Sequence, residues 1–251
     1  MKGTNKNPVL VLGATGNIGR GTVQALLEAG YPVLAIARDR ARLADLQQHF
    51  ASRAGLDVLA GSVTDDAAGA ALADAIRQRK VFPAAIVACL GGAPDRGRLL
   101  ERPAQFLRAK LDQDLLPHLV AAHHLLPLLE HEDRFGSYLI VGGPGAEHPW
   151  AGYGHVSIAA AALRMLARVL HEEARNTGVR VQLLSIARPA RTERNRACAC
   201  PEWPSALDIG RRAVDQLRSP VRADAVLTVD PRHRPGPAIP VSDLLPTKDY
   251  S

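Results

Sequence analysis

The stretch Val9-Leu10-Val11-Leu12-Gly13-Ala14-Thr15-Gly16-Asn17-Ile18-Gly19 constrains this chain most, because a short apolar run ends directly in three glycines spaced three residues apart. The apolar run reads as a buried strand. Glycines permit a sharp turn and let the backbone approach a bound group closely. A helix opening near Asn17 would aim unpaired N–H groups and its positive dipole end at an anion. The stretch therefore predicts strand, turn and helix around a phosphate. Its spacing is G-x-x-G-x-x-G rather than the commoner G-x-G-x-x-G, and an ordinary strand-turn-helix can also hold three glycines, so it needs support from the rest of the chain.

That support is a repeated rhythm. Strand-length apolar runs at 8–13, 33–37, 56–60, 84–90, 137–141, 179–186 and 225–229 alternate with helical patterns at 17–29, 39–53, 65–80, 103–130, about 156–177 and 205–218. Continuous apolar strands joined by helical crossovers predict a mainly parallel seven-stranded sheet with helices on both faces. Right-handed crossovers then give a single α/β, doubly wound Rossmann domain over residues 1–230, with its ligand at the carboxyl ends of the strands. At 251 residues and 47% hydrophobic content the chain can bury one full core. Residues 188–204, rich in Arg, Pro and Cys and without periodicity, are expected to form a substrate-side loop. Residues 231–251 form a Pro-rich tail, either disordered or packed as an arm on a neighbouring subunit.

The net charge of +6 would permit a nucleic-acid partner. The arginines are scattered over helix faces, aromatics are 4% of residues, and no helix-turn-helix or zinc-finger pattern occurs, so no nucleic-acid partner is expected. The opening residues lack the apolar core of a secretory signal and no apolar run matches a bilayer's thickness, which leads to the expectation of a cytoplasmic protein without a membrane partner. Cys89, Cys198 and Cys200 are too few for a disulfide framework. The Cys198-Ala199-Cys200 pair lacks a second ligand pair, so no metal is expected.

Taken in order, the motifs from about Pro8 to Pro231 resemble the short-chain dehydrogenase/reductase family. The resemblance implies a nicotinamide cofactor. Gly13, Thr15, Gly16, Asn17, Ile18 and Gly19 are similar to the family's glycine loop in the form carried by its atypical and extended members. Arg38 falls where NADP-preferring members carry a basic residue, and a guanidinium can pair bidentately with a 2′-phosphate. NADP(H) is therefore the expected cofactor, with NAD(H) left open, and Arg38 can equally begin an exposed helix. Ser62 and Val63 resemble the pair flanking adenine, with serine in place of the usual aspartate. Cys89 and Gly91 lie in Ala88-Cys89-Leu90-Gly91, where the family often has Asn-Asn-Ala-Gly under the ribose. Ala187 ends the segment that resembles the nicotinamide-side turn, without its usual Pro-Gly.

The family's Tyr-Ser-x-x-Lys segment falls on Val156-Ser157-Ile158-Ala159-Ala160, its serine on Gly143 and its asparagine on Asp114. All four positions of the usual acid–base apparatus differ. No small shift restores it, because Tyr153 is followed four residues later by Ser157 and residues 157–175 contain no lysine. The candidate proton-transfer groups are His155, Tyr153 and Asp114, with Glu147, His148 and His118 nearby. Each also has a structural reading: His155 as a helix-start residue, Tyr153 as a loop anchor between Gly152 and Gly154, and Asp114 with His118 around a kink at Pro117. His123 and His124 are expected to pack. Arg188, Arg191, Arg194 and Arg196 suit an acidic small-molecule substrate or simply a solvated loop.

Three functions are compatible with these residues. One is an NADP(H)-dependent oxidoreductase of a small carbonyl or alcohol working without the Tyr/Lys pair. Another is a non-redox cyclase, dehydratase or isomerase, and the third is an NADP(H)-sensing or partner-supporting protein that binds without turnover. The resemblance further implies a homodimer or homotetramer, with which the apolar stretch 115–129 is compatible.

Overall fold

The computed structural model describes residues 7–130, 136–192, 195–197, 199–219 and 225–228. The expected tail at 231–251, Arg194 and Cys198 lie outside the described residues. Strands β1 (Val9–Leu12), β2 (Val33–Ala37), β3 (Leu56–Ala60), β4 (Ala85–Ala88), β5 (Gly136–Gly142), β6 (Val179–Ser185) and β7 (Val226–Thr228) form one sheet in the order β3-β2-β1-β4-β5-β6-β7. Every neighbouring pair is parallel. The two-residue period of a strand distributes side chains to both faces. Val9 and Val11 join one core layer with α1 (Asn17–Glu28), α2 (Arg40–His49) and α7 (Ala206–Arg218). Leu10 and Leu12 join the other, with α3 (Asp66–Gln78), α5 (Leu116–Leu125) and α6 (Gly154–Glu173). Burial on both faces explains why the strands read as unbroken apolar runs.

Helix starts follow local chemistry. Asp39 accepts hydrogen bonds from the backbone of Ala41 and Arg42, Asp65 accepts from Ala68, and Ser205 with Asp208 makes a capping box. Helix α1 differs, since its N-cap is Gly16 and no side chain caps it. Its first N–H groups are thus left for another acceptor.

The helical pattern at 103–130 divides into α4 (Ala104–Asp114), α5 and a 3-10 turn at Leu126–Leu129. Pro117 has no N–H to continue α4 and its ring would crowd the Gln113 carbonyl, so the chain breaks at Leu115 and restarts. This corrects the single kinked helix: Asp114 and His118 stand on separate helices. His123 is also corrected, being exposed rather than packed, while half-buried His124 contacts Asp66 at 3.2 Å.

The strand order reverses between β1 and β4, and this switch point opens a crevice at the carboxyl ends of the sheet. Helices α1 and α7 cross at two glycines on the β1 side. A Cβ on Gly21 would come within 2.3 Å of the Ala206 carbonyl carbon, and one on Gly210 within 2.4 Å of the Gly21 oxygen. This close crossing fastens the residues preceding α7 over the glycine loop.

Candidate active site

The β1 side of the crevice is shaped mainly by backbone. Gly13 has φ +71°, and a Cβ there would lie 2.2 Å from the Cys89 oxygen; at Gly19 a Cβ would lie 2.1 Å from the Gly13 oxygen. Only glycine fits either place, which keeps the loop flat against β4 and brings the uncapped start of α1, with Gly16, Asn17 and Ile18, to its edge. The site thus fits a dinucleotide's phosphates, because N–H groups without side-chain caps face a cradle that any Cβ would fill. The Cys89 side chain lies 3.6 Å from the Thr22 hydroxyl, and burial pushes its thiol up to about 12. It is therefore neutral, and the Cys89 carbonyl that backs Gly13 is its structural contribution.

A cavity of about 460 Å³ lies beside this loop, bordered by Thr15, Asn17 and Thr192 and by Arg20, Arg42, Arg191 and Arg196. Arg42 donates to the Thr15 carbonyl at 2.6 Å. Asn195 accepts from the Thr192 backbone at 2.7 Å and from its hydroxyl at 3.1 Å, which holds the loop in shape. Arg191 and Arg196 therefore share a cavity with Thr15 and Asn17 of the glycine loop and with Gln24, His49 and Phe50 along the outer side of α1. Arg38 is exposed and does not line this cavity; Arg42, in the first turn of α2, does. Sequence reasoning missed Arg20 and Arg42, whose only signal was an arginine at each helix start. Val63 is buried in the core and Ser62 pairs with Thr64 at 3.0 Å, whereas Ala187 is exposed beyond β6.

The β4 side is shaped by side chains. Asp114, the last residue of α4, accepts from Gly92 N–H at 2.7 Å and so anchors the turn after β4, where Gly91 has φ +142°. Segment 91–103 then crosses the start of α6. Gly97 donates to the Gly152 carbonyl at 2.8 Å, and Leu99 packs so closely on Gly154 that a Cβ there would approach it to 2.6 Å. Beneath the segment lie His155 and Tyr153, which are 0% and 4% exposed.

His155 accepts the Asp95 backbone N–H on Nε2 at 3.4 Å, and its Nδ1 has no partner among the described residues. A neutral ring so held carries its proton on Nδ1. Burial, reinforced by the Lys110 ammonium, pulls His155 below the usual imidazole value and favours that neutral form. Its ring lies edge-on to Phe106 at 5.3 Å and tilted to Tyr153 at 6.5 Å. The Tyr153 hydroxyl is buried without a hydrogen-bond partner among the described residues and burial raises its pKa, although Arg96 opposes the rise.

Lys110 is the functional candidate that sequence reasoning missed. It is a buried lysine on α4 whose ammonium meets the Asp95 carboxylate at 2.5 Å and Gln113 at 3.4 Å. The other candidates stand apart: Glu147 is held by Arg164 at 2.5 Å, His148 is exposed, and His118 is wholly buried in α5. Val156 and Ala160 are half-buried in the first turns of α6, and Gly143 is exposed after β5.

A parallel sheet with this strand order, and a glycine loop leading into an uncapped helix at its switch point, define a Rossmann-type nucleotide-binding protein. The family profile described as enoyl-(acyl carrier protein) reductase matches residues 13–207. The chain belongs to the short-chain dehydrogenase/reductase family, whose members bind nicotinamide cofactors. Among solved structures, an oxidoreductase of this family from Burkholderia thailandensis is 26% identical, with TM-score 0.76 over 90% of this chain and 92% of that one. A short-chain oxidoreductase from Pseudomonas aeruginosa described as containing an atypical catalytic center is 23% identical, with TM-score 0.75 over 91% and 98%. RhlG of Pseudomonas aeruginosa, solved as an NADP active-site complex, is 18% identical, with TM-score 0.78 over 90% and 96%. No curated protein matches the chain. No helix among the described residues is long and apolar enough to cross a membrane.

Proposed function

We propose that this protein is an NADP(H)-dependent oxidoreductase of small carbonyl/alcohol pairs in which His155 replaces the family's Tyr/Lys pair, absent here at Val156 and Ala160. The observation that carries the reading is the buried, neutral imidazole whose Nε2 is occupied by the Asp95 N–H and whose Nδ1–H is left to donate. When bound, the reduced nicotinamide supplies a hydride. The chain's part is to hold the substrate oxygen and stabilise its developing negative charge. A fixed N–H donor in a dry site does this without ionising, and the alkoxide takes its proton from water as the alcohol leaves. Tyr153 forms the wall behind the ring, and Asp114 fixes the turn that carries the segment above it.

Preference for NADP(H) is supported by the ring of arginines beside the glycine loop, which adds positive charge where an additional phosphate would sit. The RhlG complex with NADP agrees with this choice. Exposed Leu116 and Leu119 on α5 and Ile158, Met165 and Val169 on α6 supply an apolar surface for a homodimer or homotetramer.

The test measures affinity for NADPH and NADH, then follows the nicotinamide absorbance with a panel of small aldehydes and ketones. Tighter binding of NADPH and its carbonyl-dependent oxidation, lost in His155→Ala, is expected; no binding of either cofactor overturns the reading. Binding without turnover is the second reading, and the segment covering His155 favours it. NADPH binding with an inert carbonyl panel is its result.

A further inference from the structure

The partner of the buried Lys110 amine lies on a loop. An ammonium removed from water needs a hydrogen-bonded counter-charge. Here the Lys110 side chain is 11% exposed and sits on a helix, whereas Asp95 belongs to an irregular segment and its side chain is 55% exposed. Asp95 also touches His155, but through its backbone N–H rather than its carboxylate. One residue therefore bridges the buried cation and the buried imidazole.

Because these two contacts use different atoms, they can separate. Rotating the Asp95 side chain into solvent frees the ammonium while the backbone hydrogen bond keeps the proton of His155 on Nδ1. Charges of both signs surround the pair: Arg102 acts electrostatically on Asp95 and His155 and Arg96 on Tyr153, while the Asp114 carboxylate acts on His155 in the opposite sense. Contact with Lys110 holds the Asp95 carboxyl below the usual carboxylate range, as expected for a pair that is charged on both sides.

We propose that the substrate is a short oxo acid, or the hydroxy acid it interconverts with, whose carboxylate displaces that of Asp95 from Lys110 and so brings its carbonyl group to the His155 side of the crevice. The Asp95 carboxylate is a built-in stand-in for the substrate's own. This assignment rests on the oxidoreductase reading for its chemistry and on the Asp95–Lys110 pair for its specificity.

The experiment compares pyruvate, acetoacetate and levulinate with their methyl esters, in calorimetric binding and in NADPH oxidation, using the full chain. Wild type should prefer at least one acid over its ester in both assays. Asp95→Asn removes the internal competitor and should tighten binding of that acid about tenfold relative to its ester. Lys110→Met should lower the acid-to-ester ratio of kcat/KM by about tenfold or more, chiefly through KM, and Lys110→Arg should restore much of it. Should Lys110→Met fail to fold, the Asp95→Asn comparison decides alone. Acids and esters handled alike by wild type, with both variants leaving the ratio unchanged, overturn the proposal and leave the oxidoreductase reading intact. Acid binding that tightens in Asp95→Asn without any NADPH oxidation does the opposite.

Discussion

On the β1 side of the crevice the glycine loop keeps its form through backbone contacts: Gly13 against Cys89, Gly19 against Gly13, and Gly21 against Ala206. On the β4 side the form depends on side chains drawn from three places, with Asp95 on a loop, Lys110 on α4 and His155 on α6. The difference separates two kinds of constraint. A backbone cradle tolerates no added atom, so its residue types are dictated whatever the chemistry. A site of converging side chains can exchange its members while the fold stays the same. A half fixed by backbone and a half open to exchange of side chains are therefore compatible in one family.

The most forceful way to break the comparison is to add a side chain to the cradle. Gly13→Val meets both the positive φ and the Cys89 carbonyl, and should reduce NADPH affinity by about a thousandfold, read by calorimetry. Lys110→Met, tested alongside, should retain NADPH binding; equal losses in the two variants would mean that the halves are not separate.

A second test lies in α5, below the β4 side. Burial pulls His118 down to about 4, so between that value and about 6.5 the unfolded chain binds a proton that the folded chain excludes. The contribution to stability is complete above about 6.5 and lost as pH falls towards 4, a change of roughly 3 kcal/mol over the whole window. Urea unfolding of wild type and His118→Leu at a series of pH values should show wild type losing stability relative to the variant as the solution is acidified. A constant difference would mean that His118 is protonated in the folded state.

His155→Ala should lower kcat about a hundredfold with NADPH affinity retained, the pattern of a lost donor to a developing oxyanion. A comparable loss in affinity would instead tie His155 to the cofactor half. The smallest effect is expected at the rim: Arg42→Gln should narrow the preference for NADPH over NADH by about tenfold, in a comparison of the two dissociation constants.

Much of the fold was legible in the chain. The seven strands were readable because burial on both faces demands uninterrupted apolar residues, and most helix starts carried a capping residue such as Asp39, Asp65 or Ser205. The break at Leu115 was only half legible, since Pro117 signals a disturbance but not whether a helix bends or restarts. Of the candidate site, the glycines, Asp114 and His155 were found from the chain alone. Lys110 was not, because a lysine on an otherwise polar helix reads as a solvated face until the loop that buries it is in place.

The sequence by itself determined the parallel sheet, the turn after β1 and the position of the ligand crevice, because each follows from local period, glycine geometry and the handedness of crossovers. Only the tertiary structure decided that Arg20, Arg42, Arg191 and Arg196 share one cavity and that Asp95 lies between Lys110 and His155. Asp95 and His155 are 60 residues apart and meet through an irregular segment. Such a segment has no period to read, and its path is set by the surfaces that α4 and α6 present to it once they have packed.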